Sequence, residues 1–221
     1  MGLDPAITTA DKGTQRIGLM GGSFDPVHTA HLALARTALA HLSLDQVRWI
    51  PVGQPWQKAR QLAPGADRLA MVALATEGEA RFTVDDTEIR RAGPSYTLDT
   101  VRELQAREPQ GAAARTTWFL IIGQDQYANL PTWHGWRELI DRVTLAVACR
   151  GDQNPRPAPA LAAVPHRVAE LPMPPMTVSS TDIRARLAQG EPASSLVPTM
   201  VPVAVARYIA DHQLYAPGPA R

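Results

Sequence analysis

MGGSFDPVHTAH, residues 20–31, decides how this chain is read. It follows the apolar run Ile17-Gly18-Leu19-Met20, so a buried strand is expected to end here, with Gly21 and Gly22 turning the chain and Asp25-Pro26 bending it again. His28 and His31 then head a helical pattern. A glycine pair loses much conformational entropy on folding, and histidine is a weak helix former, so something must compensate. Either the histidines cap an ordinary loop, or the backbone N–H groups and imidazoles hold an anion.

Outward from this stretch, short apolar runs alternate with helical patterns. Strands are expected at 16–20, 47–52, 82–87, 117–123 and 143–150, with 167–171 a candidate for one more. The first, fourth and fifth are nearly continuous apolar runs, as strands buried on both faces should be. Leu32, Ala35, Leu39 and Leu42 recur at helical spacing between the first two strands, and further helices are expected at 65–77, 97–107, 181–189 and 201–212. This alternation predicts an α/β fold: a doubly wound, Rossmann-like parallel sheet of about five strands with a small helical C-terminal part. Residues 1–15 read as a disordered leader and 16–215 as a single domain. Within it, 151–165 is a Pro/Ala-rich surface loop and 178–215 the C-terminal helical part.

The 221 residues carry a formal net charge of +1, which calls for neither a nucleic-acid backbone nor an anionic membrane as partner. No apolar stretch approaches a transmembrane span, and the N-terminus has no basic-then-apolar signal pattern. The single cysteine, Cys149, lies in the apolar run 143–149 and reads as a buried thiol in a reducing compartment, so a cytoplasmic protein is expected.

In doubly wound folds a ligand sits beyond the carboxyl ends of the strands, where residues 20–31 fall. Neither a GxGxxG pattern nor a P-loop is present, which leaves a glycine pair open to close ligand approach and a helix N-terminus. The neighbours Asp25 and His41 complete no metal-ligand set with His28 and His31. Further along, Ser179 or Ser180 can cap a helix, with Ser179 to Asp182 at capping-box spacing. Their hydroxyls, with Thr181 and Arg184, can equally clamp a triphosphate. Pro131 argues for a turn at Trp133, where the indole can stack on a flat ring, whereas Trp136 reads as core. Ser95 or Thr97 can cap a helix, and Asp125 can cap or accept ribose hydroxyls. Asp85, Asp86 and Glu88 look like a solvated strand end.

The stretch GGSFDPVHTAH resembles the signature of the nucleotidyltransferases that carry a His-x-Gly-His type motif after the first strand. Pro55-Trp-Gln-Lys58, Gly93-Pro-Ser-Tyr-Thr-Leu-Asp-Thr100, Gly123-Gln-Asp125 running to Trp133, and Val178-Ser-Ser-Thr-Asp-Ile-Arg184 follow in order. Together they are similar to the bacterial nicotinate mononucleotide adenylyltransferases over residues 16–215. There are departures: Ala30 stands where the family has Gly, Ser23 where it has Thr, and the histidine expected before Lys58 is lost.

The resemblance implies adenylyl transfer from ATP to nicotinate mononucleotide, giving nicotinate adenine dinucleotide and pyrophosphate. It implies His28, His31, Lys58 and Arg184 as catalytic residues. ATP would be held by Gly21, Gly22, Ser23, Phe24, His28, His31, Gly123, Asp125, Ser179, Ser180, Thr181 and Arg184. The mononucleotide would meet Lys58, Ser95, Tyr96, Thr97 and Trp133, with Lys58 touching either the incoming phosphate or the α-phosphate. Mg²⁺ is expected on the ATP phosphates, mostly through water, with no metal site of the protein's own. Transfer to another phosphate, such as the amide mononucleotide or phosphopantetheine, and a non-catalytic nucleotide-binding module are the alternatives. No oligomeric state follows from the sequence.

Overall fold

Leu19 and Met20 are neighbours in the chain and pack on opposite sides of one sheet. The computed structural model describes residues 14–55, 61–108, 115–150 and 154–217. Among these, six strands form the sheet: β1 (Gln15–Gly22), β2 (Gln46–Pro51), β3 (Phe82–Val84), β4 (Thr116–Gly123), β5 (Thr144–Arg150) and β6 (Val168–Met173). All pairs are parallel, in the order β3-β2-β1-β4-β5-β6. The strand period of two explains the continuous apolar runs. In β4, Trp118, Leu120 and Ile122 face one core while Phe119 and Ile121 face the other.

Helices cover both faces. On one side lie α1 (Thr29–His41), α2 (Gly65–Thr76), and later α8 (Ser180–Ala188) and α9 (Val203–Asp211), which bury Leu32, Met71, Ile183 and Ile209 together. On the other lie α4 (Thr97–Arg107), α5 (Gln124–Asn129), α6 (Trp136–Arg142) and the short α7 (Pro159–Ala162), through Leu104, Tyr127, Leu139 and Leu161. Each fully buried leucine contributes roughly 2 kcal/mol through burial alone. A single turn, α3 (Thr87–Arg90), follows β3. The strand order reverses between β1 and β4, so a crevice opens beyond their carboxyl ends.

The structure corrects several expectations. β1 does not end at Met20: Gly21 and Gly22 continue the ladder opposite Ile50 and Pro51, and Val52 N–H donates to the Gly22 carbonyl at 2.8 Å. The turn comes afterwards, at Ser23–Pro26, with Phe24 in the left-handed region at φ 45°. The sheet has six strands, because 168–173 pairs with β5 as an edge strand that tolerates Pro172. β3 stops at Val84, because Asp85 accepts from both the N–H and the hydroxyl of Thr87 and starts a helix there. Part of the 151–165 stretch is helical and anchored by buried Leu161, while residues 151–153 lie outside the described residues, as do 1–13 of the expected leader.

Candidate active site

The Ser23–Val27 loop joins β1 to α1 and is packed inward, with Phe24, Asp25 and Val27 all buried. Asp25 is fully buried, and its Oδ1 accepts from Ala63 N–H at 3.2 Å and from the Tyr215 hydroxyl at 2.7 Å. Arg68 is 2% exposed and donates to the carbonyls of Ser23 (3.0 Å), Ala63 (2.9 Å) and Gly53 (3.5 Å). These two buried charged residues hold the loop to its neighbours. The sequence marks Asp25 only as part of a bend and does not mark Arg68, although Arg68 shares an i, i+3, i+4 face with Met71 and Val72, which makes it inward-facing.

His28 is the N-cap of α1 and only 6% exposed. Its ring stacks on that of His31, centroids 3.7 Å apart, and its backbone N–H donates to His31 Nδ1 at 3.2 Å. A neutral His31 accepting at Nδ1 carries its proton on Nε2, as a donor. Desolvation pulls the His28 pKa down to about 4, and its Nδ1 has no partner among the described residues. Near neutral pH burial thus keeps His28 uncharged. The first turn of α1 is less open to an anion than its sequence suggests, because Thr29 N–H donates to the Met200 carbonyl at 2.9 Å. The Phe24 ring is core, edge-on to His31 at 5.1 Å and against Trp49.

The start of α8 reaches this loop from the far end of the chain. Ser179 Oγ accepts from Asp182 N–H at 3.1 Å, so Ser179 is the cap. Ser180 Oγ donates to the Pro26 carbonyl at 3.0 Å, and Arg184 donates to the Asp25 carbonyl at 2.6 Å and to Thr181 Oγ1 at 3.2 Å. The two motifs of the sequence are therefore brought together, with a guanidinium beside the histidine helix.

Two cavities adjoin at the sheet's switch point, sharing Leu34, Gly123 and Gln126. The first, of about 390 Å³, is lined by Gly21, Gly22, Ser23, His31, Ser95, Thr97 and Trp133. The second, of about 660 Å³, is lined by Ala30, Asp125, Cys149, Asn154 and Arg156. A Cβ at Gly21 would meet nothing within 4 Å, so this glycine leaves the strand end open. Trp133 follows a 3₁₀ turn at Leu130–Thr132 and is half-buried, with its Nε1 lacking a partner among the described residues. Tyr96 turns its ring onto His134, 4.5 Å away. Lys58 lies outside the described residues; Pro55, near it in sequence, lines the smaller cavity.

Glu88 is the main departure from expectation. It is 7% exposed and lines the smaller cavity, where a solvated strand end was expected. The α3 turn that follows Asp85 directs it inward, and Thr100 Oγ1 donates to its Oε1 at 2.7 Å. Burial pushes its carboxyl above the usual carboxylate range.

The cytidylyltransferase-like family model matches residues 19–186. A Methylibium petroleiphilum protein named "Probable nicotinate-nucleotide adenylyltransferase" is 60% identical over 203 residues, covering 92% of this chain and 93% of that protein. A Bordetella petrii protein of the same name is 48% identical, covering 91% and 99%. Among solved structures, Plasmodium falciparum nicotinic acid mononucleotide adenylyltransferase complexed with NaAD has a TM-score of 0.70 at 16% identity, covering 91% of this chain and 97% of that one, a likeness of fold.

Proposed function

As this chain belongs to the nicotinate-nucleotide adenylyltransferases, within the cytidylyltransferase-like family, we propose that its double cavity joins ATP to nicotinate mononucleotide, giving nicotinate adenine dinucleotide and pyrophosphate. The observation that carries the reading is the meeting of residues 21–31 with residues 179–184 beside two adjoining cavities at the switch point. One cavity takes each substrate, and the phosphates meet at the boundary, near His31.

In this reading the mononucleotide's 5′-phosphate oxygen attacks the α-phosphorus of ATP in line. A new P–O bond forms, the bond from the α-phosphorus to the oxygen bridging to the β-phosphate breaks, and pyrophosphate leaves with that electron pair. The attacking phosphate monoester has its second pKa at about 6 and is already ionised near neutrality, so the site need supply only positioning and charge stabilisation.

We assign His31, through its Nε2 donor, and the Gly21-Gly22 strand end to the α-phosphate. His28 stacks behind His31 and answers the arriving charge: a nearby anion favours the imidazolium that burial disfavours. Arg184 and the Ser179-Ser180-Thr181 turn are assigned to the β- and γ-phosphates, and Asp125 to ribose hydroxyls. Ser95 and Thr97, with the backbone at Tyr96, are assigned to the pyridine carboxylate, and the Trp133 face to the ring. Lys58 keeps its proposed phosphate role. Ser23 and Gly123 line the cavity and act as wall, and Phe24 supports His31 from the core. Among the described residues no three of the His, Cys, Asp and Glu side chains converge on a metal site, and we propose that Mg²⁺ enters as Mg-ATP. No helix of the described residues is long and apolar enough to cross a membrane, and we place the protein in the cytoplasm.

Mass analysis of the product from Mg-ATP and nicotinate mononucleotide tests the reading. Nicotinate adenine dinucleotide should accumulate in step with pyrophosphate, and ATP consumed without a dinucleotide would refute it.

A further inference from the structure

The smaller cavity has a wall made from three segments that are separate in the chain. After β2 come Val52 and Pro55, with Gly53 and Gln54 between them behind the wall; Glu88 lies in α3, and Ser95 and Thr100 lie before and within α4. Backbone bonds stitch the first to the last: Ser95 N–H donates to the Gln54 carbonyl at 2.9 Å, and Gln54 N–H donates to Ser95 Oγ at 3.3 Å. The packing is close enough that a Cβ on Gly53 would fall 1.9 Å from the Glu88 carbonyl oxygen, so only glycine fits.

Into this junction Glu88 places its carboxyl. It accepts from Thr100 Oγ1 at 2.7 Å, and Ser95 and Gly53 lie close enough to favour its charged form, so one side chain faces all the segments around it. Arg91 stands behind, donating to Thr100 Oγ1 at 2.9 Å. A buried carboxyl is unfavourable unless donors compensate it, and here the donors belong to the cavity wall itself.

We propose that Glu88 is the positioning residue of the acceptor cavity, holding Ser95 and the Gly53-Gln54 segment where they must stand to bind the pyridine mononucleotide. The proposal rests on the assignment of this cavity to nicotinate mononucleotide. Glu88 acts through Ser95, whose hydroxyl accepts from Gln54 N–H and packs with the Glu88 backbone against Gly53, close enough to the Glu88 carboxyl to favour its charge. The His28–His31 stack and the α8 start make no part of this network, so its loss should be felt by one substrate.

Glu88→Gln tests this directly, because an amide offers one acceptor oxygen where a carboxylate offers two. The expected result is a KM for nicotinate mononucleotide raised roughly tenfold, as loss of a charge-assisted hydrogen bond can produce, with kcat and the KM for ATP within about twofold of wild type. Glu88→Asp keeps the charge but shortens the reach, and should fall between. An unchanged acceptor KM, or an ATP KM that rises in step with it, overturns the proposal. Should Glu88→Gln fail to fold, Thr100→Val removes one donor at near-constant volume, and an unchanged acceptor KM in that variant overturns the proposal equally. If the wild-type protein itself does not turn over nicotinate mononucleotide, the cavity assignment fails and takes this proposal with it, whereas wild-type turnover with a silent Glu88→Gln refutes the proposal alone.

Discussion

The state of His28 yields the sharpest quantitative prediction. Burial takes its pKa from 6.5 in the unfolded chain to about 4 in the folded protein. The folded protein therefore refuses a proton that the unfolded chain accepts. Above pH 6.5 both states are neutral and His28 gives no pH dependence. As pH falls through 6.5 the unfolded chain charges first, and folding stability drops until the folded-state value near 4 is passed. At about 1.4 kcal/mol per pH unit, His28 should remove roughly 2 kcal/mol at pH 5 and roughly 3 kcal/mol below pH 4. Glutamine at this position cannot titrate, so the difference between urea melts of wild type and His28→Gln isolates the contribution from that of the carboxylates. The wild type should lose roughly 2.5 kcal/mol to the variant as pH falls from 7 to 4.5. NMR titration of the imidazole gives the midpoint independently. With a non-hydrolysable ATP analogue bound, the midpoint should rise, since a phosphate beside the ring opposes the desolvation. Parallel stability curves, or a free-protein midpoint near 6.5, would refute the reasoning. A midpoint indifferent to the analogue would move the phosphate away from His28.

Other substitutions separate the proposed roles. His31→Ala should lower kcat a hundredfold or more while ATP affinity falls far less, as for loss of one preorganised transition-state donor; equal losses in steady-state and binding assays would make His31 only a binding residue. Trp133→Ala should raise the KM for the mononucleotide and leave that for ATP, and an unchanged acceptor KM would remove the indole from the pocket. Tyr215→Phe takes one donor from the fully buried Asp25 carboxyl and should cost about 1–3 kcal/mol in denaturant unfolding; a change within a few tenths would show that this bond does not hold the tail to the loop.

Much of the framework is legible from local pattern, for a physical reason. β1, β4 and β5 are buried on both faces, so their apolar runs are unbroken, and α4 begins and ends at Thr97 and Arg107 as its pattern indicates. Edge strand β6 was harder to read, because Glu170 and Pro172 are tolerated only where one side lacks a partner. The glycine pair misled: glycine marks a turn only by φ, and Gly21 and Gly22 stay in the extended ladder while Phe24 adopts the positive φ. For the site, the candidate residues come from resemblance, and Arg184 donating to the Asp25 carbonyl brings the first and last motifs together in space. Glu88 and Arg68 escaped because their partners are remote in sequence. A charged residue looks solvated until the Thr100 hydroxyl or the Ser23 carbonyl is seen beside it.

The most direct test is pyrophosphate release from Mg-ATP with nicotinate mononucleotide, the amide mononucleotide and phosphopantetheine supplied in parallel. Strong turnover on the acid mononucleotide, weaker on its amide and absent on phosphopantetheine, is the predicted result. Turnover on phosphopantetheine alone, or none on any acceptor while ATP still binds, would contradict it.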